Sequence, residues 1–450
     1  MPPHSAINLN SFLNSTPALT QVFSAEAQLR AMARFEWALS CALESCGLAE
    51  AGSGAVLDSL VEAQFVDLDA LMRDARQNGN VAIPFVRQLT AAVKAKSEAA
   101  ARTVHLGATS QDVLDTALVL QMREAVNLLE AEMARLEGAL VRQVEEHAET
   151  VLTARTWLQA GPPTTLGLKL AGTLAAIRRS GARLSASRER ALALQFGGAV
   201  GTRAALGEQG ERVAAELARR LELRNPELPW HTQRDNLVEV VEVLGLLVGS
   251  LAKFAKDIAL LMQTEVGEVS EGEGGGSSTM PHKHNPVACA AVLGIHASMP
   301  GLVATMLAAM AQEHERGLGL WQAEWDTVPE AFRRTGAALA YAVEIAEGLQ
   351  VDAVRMQSNL EGLLGLPMAE AVSVALSGKI GKAQAHELLR EATGRAQREH
   401  VHLSVLLKQM PEVTALLGSE EIDRLLDPRE YLGSAREFIA RVLGDADAHR

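Results

Sequence analysis

From residue 112 to about residue 150 the chain runs without a proline and with a single glycine. At about 1.5 Å of rise per residue this is room for roughly 57 Å of unbroken helix. Further long helical candidates cover 164–194, 236–266, 287–312 and 327–349, and residues 18–46 and 83–103 carry apolar positions at three- and four-residue spacing. Strand alternation is nearly absent. Ala, Leu and Val supply most of the apolar content and aromatic residues make up only 4%. That balance favours helix over sheet. Helices this long exceed what a small globule can cover alone, so the expected architecture is all-α, a long helical bundle paired with other bundles. The expected boundaries fall near 110 and 350, giving an N-terminal helical domain (1–110), a central long-helix bundle (111–350) and a C-terminal helical domain of shorter helices (351–450).

Residues 287–312 contain no Asp, Glu, Lys or Arg. By length the stretch could span a membrane. It is rich in alanine, carries His296, Ser298 and Pro300, and lacks flanking aromatics until Trp321. We therefore read it as a helix buried on all sides in a bundle core. The 42 basic and 55 acidic residues leave a net charge of −13 with no basic run, which speaks against a nucleic-acid partner. An anionic substrate would need a locally basic site against that background. Cys41, Cys46 and Cys289 form no CxxC pair. They read as small buried hydrophobes in a reducing cytoplasm. The first residues show no basic and apolar leader pattern, so cytoplasmic localisation is the expectation.

The richest chemistry lies in the loop 272–286. Gly272, Gly274, Gly275 and Gly276 fall within five residues and lead into Ser277, Ser278, Thr279, Met280, Pro281, His282, Lys283, His284, Asn285 and Pro286. Successive glycine N–H groups can form an anion nest. The hydroxyls and Lys283 add donors and charge, and the positive N-terminal end of the next helix follows at once. The expected ligand is a carboxylate or an enolate oxygen. A flexible linker has no purpose between two long buried helices. No GxxxxGK[ST], HExxH or GxSxG pattern and no His/Cys cluster occurs, so neither a metal nor an organic cofactor is expected. Weaker candidates are 105–112, where Ser110 or Asp112 could be a helix cap, the polar cluster Arg155 to Gln159, and Glu313 to Arg316.

Taken together these segments resemble the fumarase/aspartase superfamily. The signature GSSxMPxKxNP reads without a gap from Gly276 to Pro286, a TSxD segment matches Thr109 to Asp112, and a third segment matches Thr156 to Gln159. The resemblance implies three helical domains, a homotetramer built on a core of long helices, active sites shared by three subunits, a small-molecule substrate, and no metal or cofactor. It assigns proton transfer to Ser277 with Lys283 beside it, and substrate binding to His105, Thr109, Ser110, Thr156, Gln159, Gln233, Met280, Asn285 and Arg316. Within the superfamily the stretches 105–116, 155–159, 196–202, 229–235, 261–268 and 312–316 are most similar to its cycloisomerase branch. Those enzymes close a conjugated tricarboxylate to a five-membered lactone during protocatechuate breakdown. An adenylosuccinate-lyase-like carbon–nitrogen lyase releasing fumarate is the alternative, and a non-enzymatic helical protein, as some crystallins are, a third reading. Trp157 stands where the lyases place a catalytic His, and Trp321 and Trp325 where adenylosuccinate lyases place Ser and Arg. These departures count against the lyase, and the intact Ser277, Lys283 and Asn285 against a crystallin-like role. Asn236 and His284 stand where the cycloisomerase pattern has Arg.

Overall fold

The computed structural model describes residues 9–62, 65–272, 275–276, 279–280 and 282–444. The fold is all-α. Its five longest helices are α1 (Ser110–Glu146), α2 (Leu166–Ala191), α3 (Asp235–Leu261), α4 (Val287–Ala309) and α5 (Leu320–Gly348). They answer to the five long stretches expected from the sequence, with ends shifted by a few residues. Four short strands were not expected. β1 (Val151–Thr156) and β2 (Gln159–Thr165) form an antiparallel hairpin, and β3 (Val269–Glu271) pairs antiparallel with β4 (Leu349–Val351).

Two compact units divide the chain. The first comprises Met1–Glu132, Ser180–Gly249 and Gly294–Ala340, the second Met133–Arg179, Ser250–Leu293 and Tyr341–Arg450. Each long helix therefore gives part of its length to either unit. In the first unit Phe35, Phe85, Phe196 and Phe332 are fully buried. The Phe35 and Phe196 rings lie 6.4 Å apart, and Phe23 and Phe332 5.7 Å apart. Close approach is built in at Gly336, where a Cβ would stand 2.0 Å from Leu19 Cδ1. In the second unit the shorter C-terminal helices enclose their own core, with Leu376, Leu403, Leu407, Val413, Leu417 and Ile422 all fully buried.

Helix α4 is largely uncovered within a single copy of the chain. Only 22% of its most apolar window is buried within this chain. Val287 and Leu307 are exposed, as is Met310 just beyond its end. It is the one helix among the described residues long and apolar enough to cross a membrane. The absence of charge marked a surface that needs covering. What covers it is not written in the sequence of the helix. Of the cysteines, Cys289 is buried while Cys41 and Cys46 are half-buried.

Candidate active site

In the first unit the site residues gather at the N-terminus of α1. Thr109 precedes the helix, and its N–H donates to Asp112 Oδ2 at 3.0 Å. This is the reciprocal half of a capping box, with the carboxylate three residues on satisfying the cap residue's own N–H. Thr109 Oγ1 accepts instead from Arg316 Nη1 at 3.0 Å, and Arg316 Nη2 donates to Ala199 O at 3.1 Å. The structure thus joins two predicted residues, Thr109 and Arg316. Both terminal nitrogens of Arg316 are already engaged, so a substrate carboxylate has to share or displace those bonds. Ser110, the half-buried first residue of α1, lies at the positive end of the helix. Gln233 is exposed, and its neighbour Thr232 donates through Oγ1 to His314 O at 3.0 Å, which ties that segment to the Arg316 loop.

His105 sits at a left-handed φ of 61° with Nδ1 2.5 Å from Glu36 Oε1, a carboxylate only 1% exposed. Burial disfavours a charged imidazole here, but the Glu36 carboxylate outweighs it and holds His105 above the ordinary histidine range. A histidine with a raised folded-state pKa contributes stability that is fully present below about pH 6.5 and lost as pH rises through the raised value. Glu36→Gln should shift His105 downward and flatten this part of the pH–stability curve. NMR titration of the His105 ring and urea midpoints across pH would check it. An unmoved His105 would remove Glu36 as the cause.

Behind α1 lies a buried charged network that no motif signalled. Arg234, with no exposed side-chain surface, donates to Asp115 at 2.7 and 3.0 Å and to Glu324 at 2.5 to 3.1 Å, and stacks on Trp230 at 4.7 Å. Trp321 Nε1 donates to Asp115 Oδ1 at 2.9 Å, and Trp325 meets Trp321 edge-on at 4.9 Å. The two tryptophans are therefore packing residues of this network. They bring no cation to the position where adenylosuccinate lyases carry one.

In the second unit, Thr156 and Gln159 are paired at the end of the β1–β2 hairpin, and Trp157 and Leu158 form its two-residue turn. Both turn residues have positive φ, 56° and 64°, and are 98% and 72% exposed. This turn normally takes Asn-Gly, because bulky residues enter the left-handed region at a cost. Without Gly or Asn there was no turn signal to read. Close to the hairpin's tip Arg155 is held bidentately by Glu268 at 2.7 and 2.9 Å, and Asn359 joins the same carboxylate at 2.9 Å.

The signature loop is tied at its neck. Gly275 and Asn285 exchange backbone hydrogen bonds of 3.0 and 2.9 Å, and a Cβ on Gly275 would stand 2.0 Å from Val287 Cγ2, so the crossing needs glycine. Lys283 and Met280 are exposed, with Lys283 N–H donating to Met280 O at 3.0 Å. Ser277, Ser278, Glu273, Gly274 and Pro281 lie outside the described residues. One expectation needs correction. The N-terminal end of α4 is not open to a ligand anion, because Glu271 already fills it: its carboxylate accepts from Ala288 N at 2.8 Å and Cys289 N at 3.0 Å. A protein carboxylate at a helix N-terminus satisfies the same donors a substrate would use. Gly275 N–H is likewise engaged, by Asn285 O, so Lys283 is the charged donor candidate among the described residues of the loop. Burial, then the neighbouring Glu271 carboxylate, pushes the Cys289 thiol up, which leaves it unreactive. Among the described residues no group of three His, Cys, Asp or Glu side chains could hold a metal ion.

All-helical architecture, a TSxD segment opening one long helix and a glycine-rich GSSxMPxKxNP loop opening another together define a lyase-type protein: the chain belongs to the fumarase/aspartase superfamily. A family model described as lyase matches residues 16–301, and one described as adenylosuccinate lyase C-terminus matches residues 365–442. Within that superfamily the chain is similar to 3-carboxy-cis,cis-muconate cycloisomerase of Pseudomonas aeruginosa, 50% identical over 95% of this chain and 94% of the relative. Among solved structures it superposes on 3-carboxy-cis,cis-muconate lactonizing enzyme from Pseudomonas putida with a TM-score of 0.92 at 48% identity, covering 97% and 98% of the two chains. It also superposes on beta-carboxy-cis,cis-muconate cycloisomerase from Acinetobacter calcoaceticus with a TM-score of 0.93 at 38% identity, covering 98% and 100%.

Proposed function

We propose that the protein is a cycloisomerase that closes 3-carboxy-cis,cis-muconate to 4-carboxymuconolactone. The observation that carries this reading is the 50% identity over 95% of the chain to a cycloisomerase of that name. Trp157 at the hairpin tip, in the place of the lyases' histidine, agrees with it. In the reaction one carboxylate oxygen forms a bond to the alkene carbon and closes the five-membered ring. The π pair moves to the carbon alpha to another carboxylate, as an enolate-like anion, and a proton delivered there completes the isomerisation. No atom is lost, and the acid regains its proton from solvent.

The residues divide the work accordingly. Ser277 transfers the proton, and Lys283 with the glycine N–H groups stabilises its oxyanion and the enolate. Asn285, Thr109, Ser110, Thr156 and Gln159 hold carboxylates by neutral hydrogen bonds, and Arg316 and charged His105 supply cations. Holding the flexible diene in a ring-closing conformation adds an orientation gain. An ultraviolet assay tests the substrate: diene absorbance of 3-carboxy-cis,cis-muconate should fall with enzyme, while adenylosuccinate and argininosuccinate stay intact. Fumarate release from adenylosuccinate with no effect on the muconate would establish the lyase instead.

The assembly follows from α4. Its outward Val287 and Leu307 would each contribute about 1.5–3 kcal/mol on full burial. A chain with −13 net charge gathers its uncharged surface on this helix. We infer a cytoplasmic homotetramer with four copies of α4 at its centre and active sites completed by neighbouring subunits. Light scattering at micromolar concentration should return four times the subunit mass, and a monomeric mass would rule the assembly out.

A further inference from the structure

One buried carboxylate organises the first unit's share of the site. Asp112 is fully buried, yet it lies on the first turn of α1 beside the substrate-binding candidates. Its Oδ1 accepts from Gln195 Nε2 at 3.0 Å, Gly197 N at 2.9 Å and His231 Nε2 at 2.9 Å. Its Oδ2 accepts from Thr109 N at 3.0 Å and Gly198 N at 2.9 Å. These donors come from three segments separated by up to 119 residues of sequence. A cap at a helix start needs one such bond; this carboxylate accepts five, filling its roughly four lone-pair sites, and so ties separate segments together.

Each tied segment carries or adjoins a group aimed at substrate. Thr109 is held by its backbone, which leaves its hydroxyl to receive Arg316. The Gly197–Gly198 turn leads to Ala199, whose carbonyl takes the other arm of Arg316. His231 begins the segment that ends in Gln233. We propose that Asp112 is a positioning residue: it sets the spacing between Thr109, Arg316 and Gln233, and so the fit of this half of the site to a polycarboxylate. The inference rests on the substrate class proposed above.

The test compares Asp112→Asn with Thr116→Val. Asn keeps the shape but turns one oxygen into an N–H that faces N–H donors. Thr116 anchors the same Gln195 segment through its backbone, with Oγ1 donating to Gln195 O at 2.8 Å and accepting from Gln195 N at 3.2 Å, without touching the carboxylate. Both variants should lose thermal stability. On folded enzyme, Asp112→Asn should raise KM at least about tenfold and lower kcat as well, because the misplaced donors serve ground and transition states alike. Thr116→Val should keep KM within about twofold. An unchanged KM in Asp112→Asn, or an equal rise in Thr116→Val, overturns the proposal. Should Asp112→Asn fail to accumulate as folded protein, His231→Gln carries the test: it replaces one donor at the edge of the cluster, and an unchanged KM overturns the proposal equally. The wild type is assayed first on 3-carboxy-cis,cis-muconate and on adenylosuccinate. Failure on the first alone overturns the substrate reading and leaves the variants to be compared on the second.

Discussion

Replacing Ser277 by alanine is expected to lower turnover at least about 10²-fold while leaving substrate affinity nearly unchanged, the range in which a general acid contributes. The substitution removes a hydroxyl and almost no volume. The proposed carboxylate anchors Thr109, Ser110, Gln159 and Arg316 are on other segments of the chain and are left unchanged. Ser278→Ala is the control, since this neighbouring serine of the loop has no assigned proton. Lys283→Ala should behave differently from both and weaken binding and turnover together, because its charge acts on ground and transition states alike. Stopped-flow single turnovers would separate chemistry from product release. Equal damage from the two serine variants, or a nearly silent Ser277→Ala, would move the proton to a histidine, His105 or His284.

The largest effect on stability is expected at Arg234, which follows Gln233 in sequence and is fully buried. Arg234→Met removes the cation between Asp115 and Glu324, which are 2% and 0% exposed. Breaking a buried ion pair by deleting one partner costs about 3–5 kcal/mol, chiefly because the other charge is left uncompensated. Two carboxylates are left here, so the upper end of that range applies. Neither is stripped bare: Asp115 keeps Trp321 Nε1 and Gln111 Nε2, and Glu324 keeps Gln312 Nε2. Even with Arg234 present, burial pushes Glu324 above the usual carboxylate range. An acid whose folded pKa is raised favours the folded state as pH falls, so the variant should recover part of its loss as pH is lowered through the raised value towards the unfolded one of about 4.3. Adding Glu324→Gln to Arg234→Met should return part of the stability at neutral pH. Urea midpoints for the three proteins decide it. A loss under about 1 kcal/mol would show the charges to be solvated and the network incidental.

What could be read from the chain, and what could not, follows from the range of the interactions. The long helices were legible because proline-free stretches and local spacing decide them. The GSSxMPxKxNP loop was legible because its residues are contiguous. The β1–β2 hairpin was missed because its turn is Trp157-Leu158, residues that resist positive φ and give no turn signal. The need to cover α4 was legible because the helix carries no charge along its length. The α4 anion site was misplaced because Glu271 precedes the loop by sequence and meets the helix end only after β3 has paired with β4. Arg234, Asp115 and Glu324 stand 119 and 90 residues apart, so only the fold shows that they are partners.

The turn that hid the hairpin also makes the protein observable in solution. Of its five tryptophans, Trp230 and Trp321 are buried and Trp37 and Trp325 half-buried, whereas Trp157 is 98% exposed at the hairpin tip. Iodide, which quenches only the indoles it can collide with, therefore addresses first the emitter between Thr156 and Gln159. The wild-type chain thus carries an optical probe at its own candidate site, and any event that covers the tip is readable as lost quenching and a blue shift without a label.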